Sequence, residues 1–321
     1  MLNISVVIPT FRRPALLLRC LRALSRQDIP DTAFEVLIVS DGPDEITKKA
    51  IQDFLQEHSH FKFIEMPEKK GPAAARNAGW KMARASLVAF TDDDTIPHRQ
   101  WLASYLAAWQ HERVTAFTGR TIVPLPDPPS DHEKNTAGLA KGEFITANCC
   151  CTKEALRVVN GFDESFTMAW REDSDLQFKF IQHAIPVRAL PNAIVVHPVQ
   201  RAPWGISLKE QKKGKFNALL FKKHPRLYRQ RIQPAPLWNY YGMAVCVLLF
   251  IVAIIFYSRL LVWLSLTSWF FLFSLFFLKR IKDTDKSGWH ILEMLVTSAL
   301  IPFISLYWHL YGAWKYRVFF L

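Results

Sequence analysis

Residues 86–94 read SLVAFTDDD, a run of mainly apolar side chains that ends in three consecutive aspartates. The run is typical of a buried β-strand. Comparable runs precede it at 4–9 (ISVVIP), 34–42 (FEVLIVSDG) and 61–67 (FKFIEMP). Helical periodicity separates the runs, beginning near Pro14, Asp44 and Pro72. This alternation predicts an α/β domain with a mostly parallel sheet, in which ligands bind at the carboxyl ends of the strands.

The three aspartates are the strongest chemical feature of the sequence. Clustered carboxylates repel one another unless a hard cation neutralises them. Alternate residues of an extended segment point the same way, so Asp92 and Asp94 share a face and Asp93 points elsewhere. The simplest interpretation is that Mg²⁺ or Mn²⁺ links one of these two aspartates to a diphosphate. The alternative is a solvated acidic turn that caps a helix near His98.

The alternation of predicted strands and helices ends at about Pro124. A Pro-rich loop (PLPDPPSD) precedes a predicted strand at 142–150 (GEFITANCC), a short helix, the motif GFDESF and a helix that holds EDSDLQFKF. The five cysteines are odd in number and include the run 149–151, whose neighbours cannot easily bridge one another. We therefore expect a reducing compartment, with the run buried in strand or loop packing.

Six motifs occur in a fixed order: VVIPTFRR (6–13), VSDGPD (39–44), GPAAARNAG (71–79), FTDDDTIP (90–97), GFDESF (161–166) and REDSDL (171–176). In order and spacing they resemble family 2 of the inverting glycosyltransferases, over roughly residues 3–200. The resemblance implies the GT-A fold, which is Rossmann-like. It also implies transfer of a sugar from a nucleotide-sugar donor to an acceptor hydroxyl, with inversion at the anomeric carbon.

The resemblance also implies donor-binding positions near the first two strands. Pro9, Thr10 and Arg12 end the first strand where the family binds the nucleotide base and ribose. Asp41 occupies the place that hydrogen-bonds the base, although Asp41-Gly42 alone is equally typical of an ordinary turn.

A second donor-binding group is predicted in GPAAARNAG. Pro72 suits a helix start whose N-terminus can face phosphate, with Arg76 and Asn77 one turn further in. Arg76 is therefore a candidate contact of the diphosphate or ribose. A structural salt bridge is the alternative for this arginine.

The metal and sugar positions follow from the same match. Asp92 resembles the residue that contacts the ribose or sugar, Asp94 resembles the metal ligand, and Asp93 is expected to matter less within the donor site. His197, in AIVVHPV, corresponds to a metal-binding histidine of some members. A lone histidine after a strand is otherwise a structural residue.

Glu172 and Asp173 open a predicted helix, where an acidic first turn is common for structural reasons alone. The resemblance implies that Asp173, with Glu172 beside it, is the general base that deprotonates the acceptor. Processive members carry a Gln-x-x-Arg-Trp motif after the base, and here Gln211 is followed by Lys-Lys-Gly-Lys-Phe. Addition of one sugar, or of a few, is therefore expected.

The charges and apolar stretches separate the C-terminal part from the rest. From Arg201 onward lie 17 of the 40 Lys and Arg residues but only 4 of the 28 Asp and Glu residues. Such an excess beside apolar segments indicates anionic lipid. No stretch interleaves basic and aromatic residues as binders of single-stranded nucleic acid do. Membrane lipids, and not nucleic acid, are the expected partners.

The predicted organisation is a catalytic domain at 1–200, a basic amphipathic interfacial segment at 201–236 and a membrane region at 237–321 with two or three transmembrane helices. Two apolar stretches of about 18 and 19 residues predict a helical hairpin linked at Ser258-Arg259. A third, ILEMLVTSALIPFISLYWHLY, either spans or is embedded. The positive-inside rule places the catalytic domain in the cytoplasm, where a lipid-linked or membrane-proximal glycan acceptor can reach it.

Two other functions stay open at this point. A polyprenyl-phosphate glycosyltransferase has an acceptor that is already ionised and needs no base, so Asp173 argues against it. A membrane scaffold that binds nucleotide without turnover is disfavoured by the intact acidic motifs.

Overall fold

The computed structural model describes residues 2–320, and the chain divides into two compact units. The first unit comprises the chain up to Pro124 together with Ala137–Val199. The second comprises Leu125–Thr136 and the chain from Gln200 onward. The second unit therefore includes a short segment that leaves the first unit and returns to it.

The first unit is built on a mixed sheet of eight strands. They are β1 Ile4–Thr10, β2 Phe34–Ser40, β3 Phe61–Glu65, β4 Leu87–Phe90, β5 Ile96–Pro97, β6 Ala116–Ile122, β7 Cys149–Thr152 and β8 Val187–Val196. Their order is β3-β2-β1-β4-β7-β6-β8-β5. β7 runs antiparallel to β4 and β6, and β5 runs antiparallel to β8, whereas the other pairs are parallel. The predicted α/β class is confirmed.

Helices cover this sheet. In chain order the first eight are α1 Pro14–Leu24, α2 Glu45–Ala50, α3 Gln52–Glu57, α4 Pro72–Met82, α5 Trp101–Ala108, α6 Asp131–Thr136, α7 Lys153–Val158 and α8 Glu172–Gln182, of which α6 belongs to the second unit. The predicted helix starts at Pro14 and Pro72 are confirmed, because proline's fixed φ and missing N–H suit the first helical position.

Both faces of the sheet are buried. Every residue of β1 and β2 is buried, and this explains why apolar side chains predominate on both faces of these strands. Ile4, Val6 and Ile8 pack into a core on one face, while Val7 packs into a second core on the other. The sheet therefore presents its strand ends, and not its faces, to ligands.

The strand predicted at 142–150 is wrong over most of its length, because β7 begins only at Cys149 and residues 146–148 form a 3₁₀ turn. The turn directs the buried side chain of Asn148 into the core. Its Oδ1 accepts hydrogen bonds from Trp101 Nε1 and Tyr105 Oη, both at 2.8 Å. The cysteine run forms the first three residues of β7 and is fully buried, as predicted.

The second unit is helical. From Gln200 onward it contains α9 Ile206–Glu210, α10 Lys215–Lys223, α11 Pro225–Arg231, α12 Trp238–Ile255, α13 Arg259–Ile281 and α14 Gly288–Tyr316, with a 3₁₀ turn at Gln211–Gly214. The last three helices are long and apolar enough to cross a membrane. α12 and α13 pack together across the short link at 256–258, which confirms the predicted hairpin.

The basic stretch between Trp204 and Arg231 is not one interfacial helix. It is divided into α9, the 3₁₀ turn, α10 and α11, with His224 between the last two. Residues Phe216 to Leu220 of α10 are buried, and α10 packs on α14, so the apolar side chains among them do not face lipid.

Candidate active site

The candidate site lies where the carboxyl ends of β1 and β4 meet. These strands are neighbouring and parallel, so Thr10 at the end of β1 comes close to the aspartates that follow β4. Thr10 Oγ1 donates a hydrogen bond to Asp93 Oδ2 at 2.8 Å. Asp93 thus points back to the first strand. Asp93 and Asp94 lie in a turn, in which Thr95 N–H donates to Asp92 O at 3.3 Å, and not in the extended segment on which the alternation argument depended.

Asp92, Asp94 and His197 form a cluster. One potential ligand atom from each lies within 4.8 Å of the others, and His197 Nε2 is 3.4 Å from Asp94 Oδ1. The sheet brings them together because Ile96 of β5 pairs with Val196 of β8, one residue before the histidine.

The donor set of this cluster fits a hard divalent cation. Carboxylate oxygens suit Mg²⁺ and Mn²⁺, and imidazole is accepted by Mn²⁺. Around an ion with bonds of about 2.1 Å, ligand atoms stand roughly 3 to 4 Å apart, so a small contraction of the cluster accommodates it. Burial, reinforced by the charge of Asp92, raises the pKa of Asp94, which is the environment that a cation relieves.

Arg13 is a site residue that the sequence motifs do not single out. Its Nη1 contacts Asp93 Oδ1 at 3.1 Å and Asp94 Oδ2 at 3.2 Å. Arg12, which was predicted to bind the donor, has a positive φ of 54° and lies over the ring of Phe11. The two arginines follow each other in VIPTFRR, and no feature of the sequence distinguishes them.

Arg76 connects the cluster to the acidic start of α8. Its Nη2 donates to Asp92 Oδ1 at 2.7 Å and its Nη1 donates to Glu172 Oε1 at 3.1 Å. Only 2% of the Arg76 side chain is exposed. The geometry therefore gives Arg76 the ion-pair role that was its alternative, and a direct contact with the donor stays a prediction.

Asn77 is held by the motif GFDESF. Its Nδ2 donates to Phe162 O and Glu164 Oε1, and its Oδ1 accepts from Phe162 N and Trp80 Nε1. All four hydrogen-bonding positions of the amide are used, and this favours a structural role. The predicted contact with the donor has no support in these bonds.

Glu172 and Asp173 differ in their surroundings although they are neighbours. Glu172 is buried against Arg76, and burial raises its pKa. Asp173 is only partly buried, and its Oδ1 accepts from the backbone N–H of Ser174 at 2.6 Å. Within the described chain, Asp173 Oδ2 has no hydrogen-bond partner. Glu172 Oε2 also has no hydrogen-bond partner among the described residues, but it is buried, so Asp173 is the carboxylate that an acceptor can reach.

Asp41 closes the site on the side of β2. Its Oδ1 accepts from the backbone N–H groups of Lys70 and Gly71 at 2.7 and 2.8 Å. Gly71 has φ of 103°, and a Cβ there would meet Thr167 O at 2.6 Å, so only glycine fits. A cavity of about 320 Å³ beside this turn is lined by Lys69, Lys70, Gly71, Glu164 and Thr167. Pro9, in β1, pairs with Val39 of β2.

Comparison with known proteins gives this geometry a context. The profile of Glycosyl transferase family 2 matches residues 5–166. The chain is 30% identical over 210 residues to Pre-mycofactocin glycosyltransferase of Mycobacterium tuberculosis, which covers 61% of this chain and 42% of the relative. It is 32% identical over 93 residues to GalNAc(5)-diNAcBac-PP-undecaprenol beta-1,3-glucosyltransferase of Campylobacter jejuni, covering 29% of each. The chain thus spans less than half the length of these relatives.

A solved structure covers more of the chain. A mannosyltransferase from Pyrobaculum calidifontis, in complex with GDP-Man and Mn²⁺, matches 94% of this chain and 87% of that chain with a TM-score of 0.61 and 18% identity. At this identity the similarity establishes the fold alone. It confirms the GT-A fold that the sequence motifs implied.

Proposed function

The chain belongs to glycosyl transferase family 2 and is a glycosyltransferase, and from this premise we propose its reaction. It transfers a sugar from a nucleotide-diphosphate sugar to an acceptor hydroxyl, with inversion of the anomeric carbon. The acceptor is a lipid-linked or membrane-proximal glycan, and the transfer takes place at the cytoplasmic face of a membrane.

One observation carries this proposal, namely the ion pairs that join the metal cluster to the candidate base. Asp92 belongs to the cluster, Arg76 bonds both Asp92 and Glu172, and Asp173 is the next residue. An acidic cluster without this connection would be compatible with a structural cation. Here the ion pairs fix the position of the cluster relative to the Asp173 carboxylate. This supports a displacement reaction in which the cluster binds the leaving group and the carboxylate activates the nucleophile.

The donor occupies the strand ends in this proposal. The nucleotide lies near Asp41 and the ends of β1 and β2, with Pro9, Thr10 and Arg12 around it, and Asp92 faces the ribose or sugar. Mg²⁺ or Mn²⁺ held by Asp94 and His197 would supply positive charge next to the diphosphate. Arg13, which contacts Asp93 and Asp94, complements that charge.

Asp173 acts on the acceptor. Its free Oδ2 takes the proton of the acceptor hydroxyl while the acceptor oxygen forms a bond to the anomeric carbon. The bond between that carbon and the diphosphate oxygen breaks with its electron pair, so the nucleoside diphosphate leaves as an anion. Attack opposite the leaving group inverts the configuration. Glu172 holds Arg76 in place and does not take part in the proton transfer.

The membrane assignment draws on charge and on a relative. The Campylobacter jejuni relative is named for an undecaprenol-linked acceptor, and the second unit of this chain has three helices that are long and apolar enough to span. Basic residues are concentrated from Arg201 onward, and the positive-inside rule then places Lys279, Lys282 and the catalytic unit in the cytoplasm.

The test is donor-dependent turnover by the purified full chain. Nucleotide sugars are supplied singly with Mn²⁺, release of nucleoside diphosphate is measured, and the anomeric configuration of the product is determined by NMR. We expect release with at least one donor and inversion in the product. Retention of configuration would contradict the mechanism. Undiminished transfer by Asp173→Asn to a polyprenyl phosphate would favour the alternative in which an ionised phosphate is the acceptor.

A further inference from the structure

α14 has two faces of opposite character. The exposed face is apolar and aromatic, at intervals of three or four residues or twice that: Trp289, Leu292, Val296, Leu300, Tyr307, Leu310 and Trp314. The opposite face is buried and rich in small and polar residues: His290, Thr297, Ser298, Ser305, His309 and Gly312. An exposed apolar stripe of this length needs an apolar partner along the whole helix.

The segment 204–222 lies along the buried face of α14 from one end to the other. Its contacts advance together with the helix: Trp204 with Trp289, Gly205 N–H with Glu293 Oε1 (2.7 Å), Asn217 Nδ2 with His309 Nε2 (3.1 Å) and Lys222 Nζ with Tyr316 O (2.8 Å). The backbones almost touch at Gly312, where a Cβ would meet Lys215 O at 2.5 Å. The segment therefore shares the depth of α14 in any membrane.

The pairing of segment 204–222 with α14 indicates that α14 does not cross the bilayer. The middle of α14 lies near Pro302, and the part of segment 204–222 between its contacts at Gly205 and Asn217 carries Lys209, Lys212 and Lys213. Lys212 Nζ lies over the ring of Trp308 at 5.7 Å, so Lys209 is the lysine nearest the middle of α14. If α14 crossed, Lys209 would lie near the bilayer centre, where a lysine disfavours insertion by roughly a factor of 100, and Lys212 would lie within the hydrocarbon core as well.

A buried ion pair relates the depth of α14 to that of α13. Arg280, in the last turn of α13, donates to Thr297 Oγ1 at 2.8 Å and Ser298 Oγ at 3.0 Å, near the middle of α14. It also donates to Asp131 Oδ2 at 2.6 Å. Asp131 belongs to segment 125–136, whose two ends continue into the catalytic unit. The middle of α14 thus lies level with the last turn of α13.

We infer that α14 lies in the plane of the membrane interface, on the same side as segment 204–222. Its exposed apolar face occupies the boundary of the acyl chains, and the lysines of segment 204–222 lie at the phospholipid headgroups, where long cationic side chains are favoured. α12 and α13 cross as a hairpin. Lys315 then lies on the same face as Lys282, as the positive-inside rule requires.

Depth along the helix is the first test. Nitroxide labels are attached at Leu292→Cys, Leu300→Cys and Leu310→Cys in the full chain, reconstituted in vesicles of phosphatidylcholine and phosphatidylglycerol. Depth is measured by EPR from the accessibility of oxygen relative to a water-soluble nickel chelate. We expect one common, shallow depth. A profile in which Leu300 is far deeper than the other two positions would overturn the inference.

The membrane face of the C-terminal end is the second test. Lys315→Cys, Lys282→Cys and Tyr257→Cys are treated with an impermeant maleimide in sealed vesicles, and the unsubstituted chain, whose five cysteines are buried, gives the background. We expect positions 315 and 282 to be labelled from one face and position 257 from the other. Labelling of position 315 together with position 257 would overturn the inference. Neither test depends on catalytic activity.

Discussion

Asp173→Asn tests the assignment of the base. The amide keeps the size of the side chain and can still accept the hydrogen bond from Ser174 N–H through its oxygen. It cannot take a proton at neutral pH. General bases contribute typically 10² to 10⁴ in rate, so we expect kcat to fall by about that factor, equivalent to roughly 3–5 kcal/mol of transition-state stabilisation. Turnover is measured as nucleoside diphosphate release with a saturating acceptor.

Donor binding by the same variant separates the base from the metal site. Asp173 is not part of the Asp92, Asp94 and His197 cluster, so calorimetry with donor and Mn²⁺ should give an unchanged Kd. Asp53→Asn, an exposed carboxylate of α3, is the control for loss of one charge. A variant that lost donor affinity while turning over each bound donor at the normal rate would refute the assignment.

The pH profile follows from the surroundings of Asp173. Burial raises the pKa of its carboxyl, and the backbone N–H of Ser174 and the charge of Arg171 oppose this effect. A base works only when ionised, so activity is complete above the raised pKa and falls as pH drops through it. The acidic limb of kcat is therefore expected above the ordinary aspartate pKa of about 3.9. The residual activity of Asp173→Asn should lack this limb.

Three further substitutions test other contacts. Asp94→Ala should abolish Mn²⁺-dependent turnover because the remaining ligands cannot hold the ion, and full turnover of the unsubstituted chain in excess chelator would contradict this. Arg76→Met should lower the stability of the catalytic unit by about 3–5 kcal/mol, since it leaves Glu172 buried without its cation; an unchanged melting temperature would count against the ion pair. Asp131→Asn should loosen segment 125–136 from Arg280 and increase its cleavage by protease, whereas equal cleavage rates would exclude an anchoring role.

The strands that the sequence predicted best are those with uniform burial. β1 and β2 are mainly apolar and are buried along their whole length, and β4 is apolar throughout, so composition largely defines these three strands. β6 was missed because AFTGRTI contains Gly119 and Arg120 at an irregularity of the ladder. Gly119 is required there, since a Cβ would meet Asn148 Oδ1 at 2.4 Å. The glycine is required by a tertiary contact across the sheet, so the neighbouring residues in the sequence do not indicate it.

The candidate site was predictable in part. Asp92 and Asp94 were expected to share a face by strand alternation, and they do lie close to each other, but Asp93 and Asp94 form a turn and not an extended segment. Arg13 and the link from Arg76 to Glu172 were not predictable, because they join residues that are distant in the chain. Whether Arg76 contacts the donor or forms an ion pair depends on which side chain of α8 lies beside it. The packing of α8 determines this, and the local sequence does not.

Segment 125–136 gives the membrane helices a short covalent connection to the candidate metal site. β6 ends at Ile122, whose carbonyl accepts the backbone N–H of His197 at 2.8 Å. A few residues later the chain enters the second unit, where Arg280 binds Asp131. Segment 125–136 is therefore the stretch of chain that follows Ile122, which binds the backbone of the candidate metal ligand His197, and that contains Asp131, which is bound to α13.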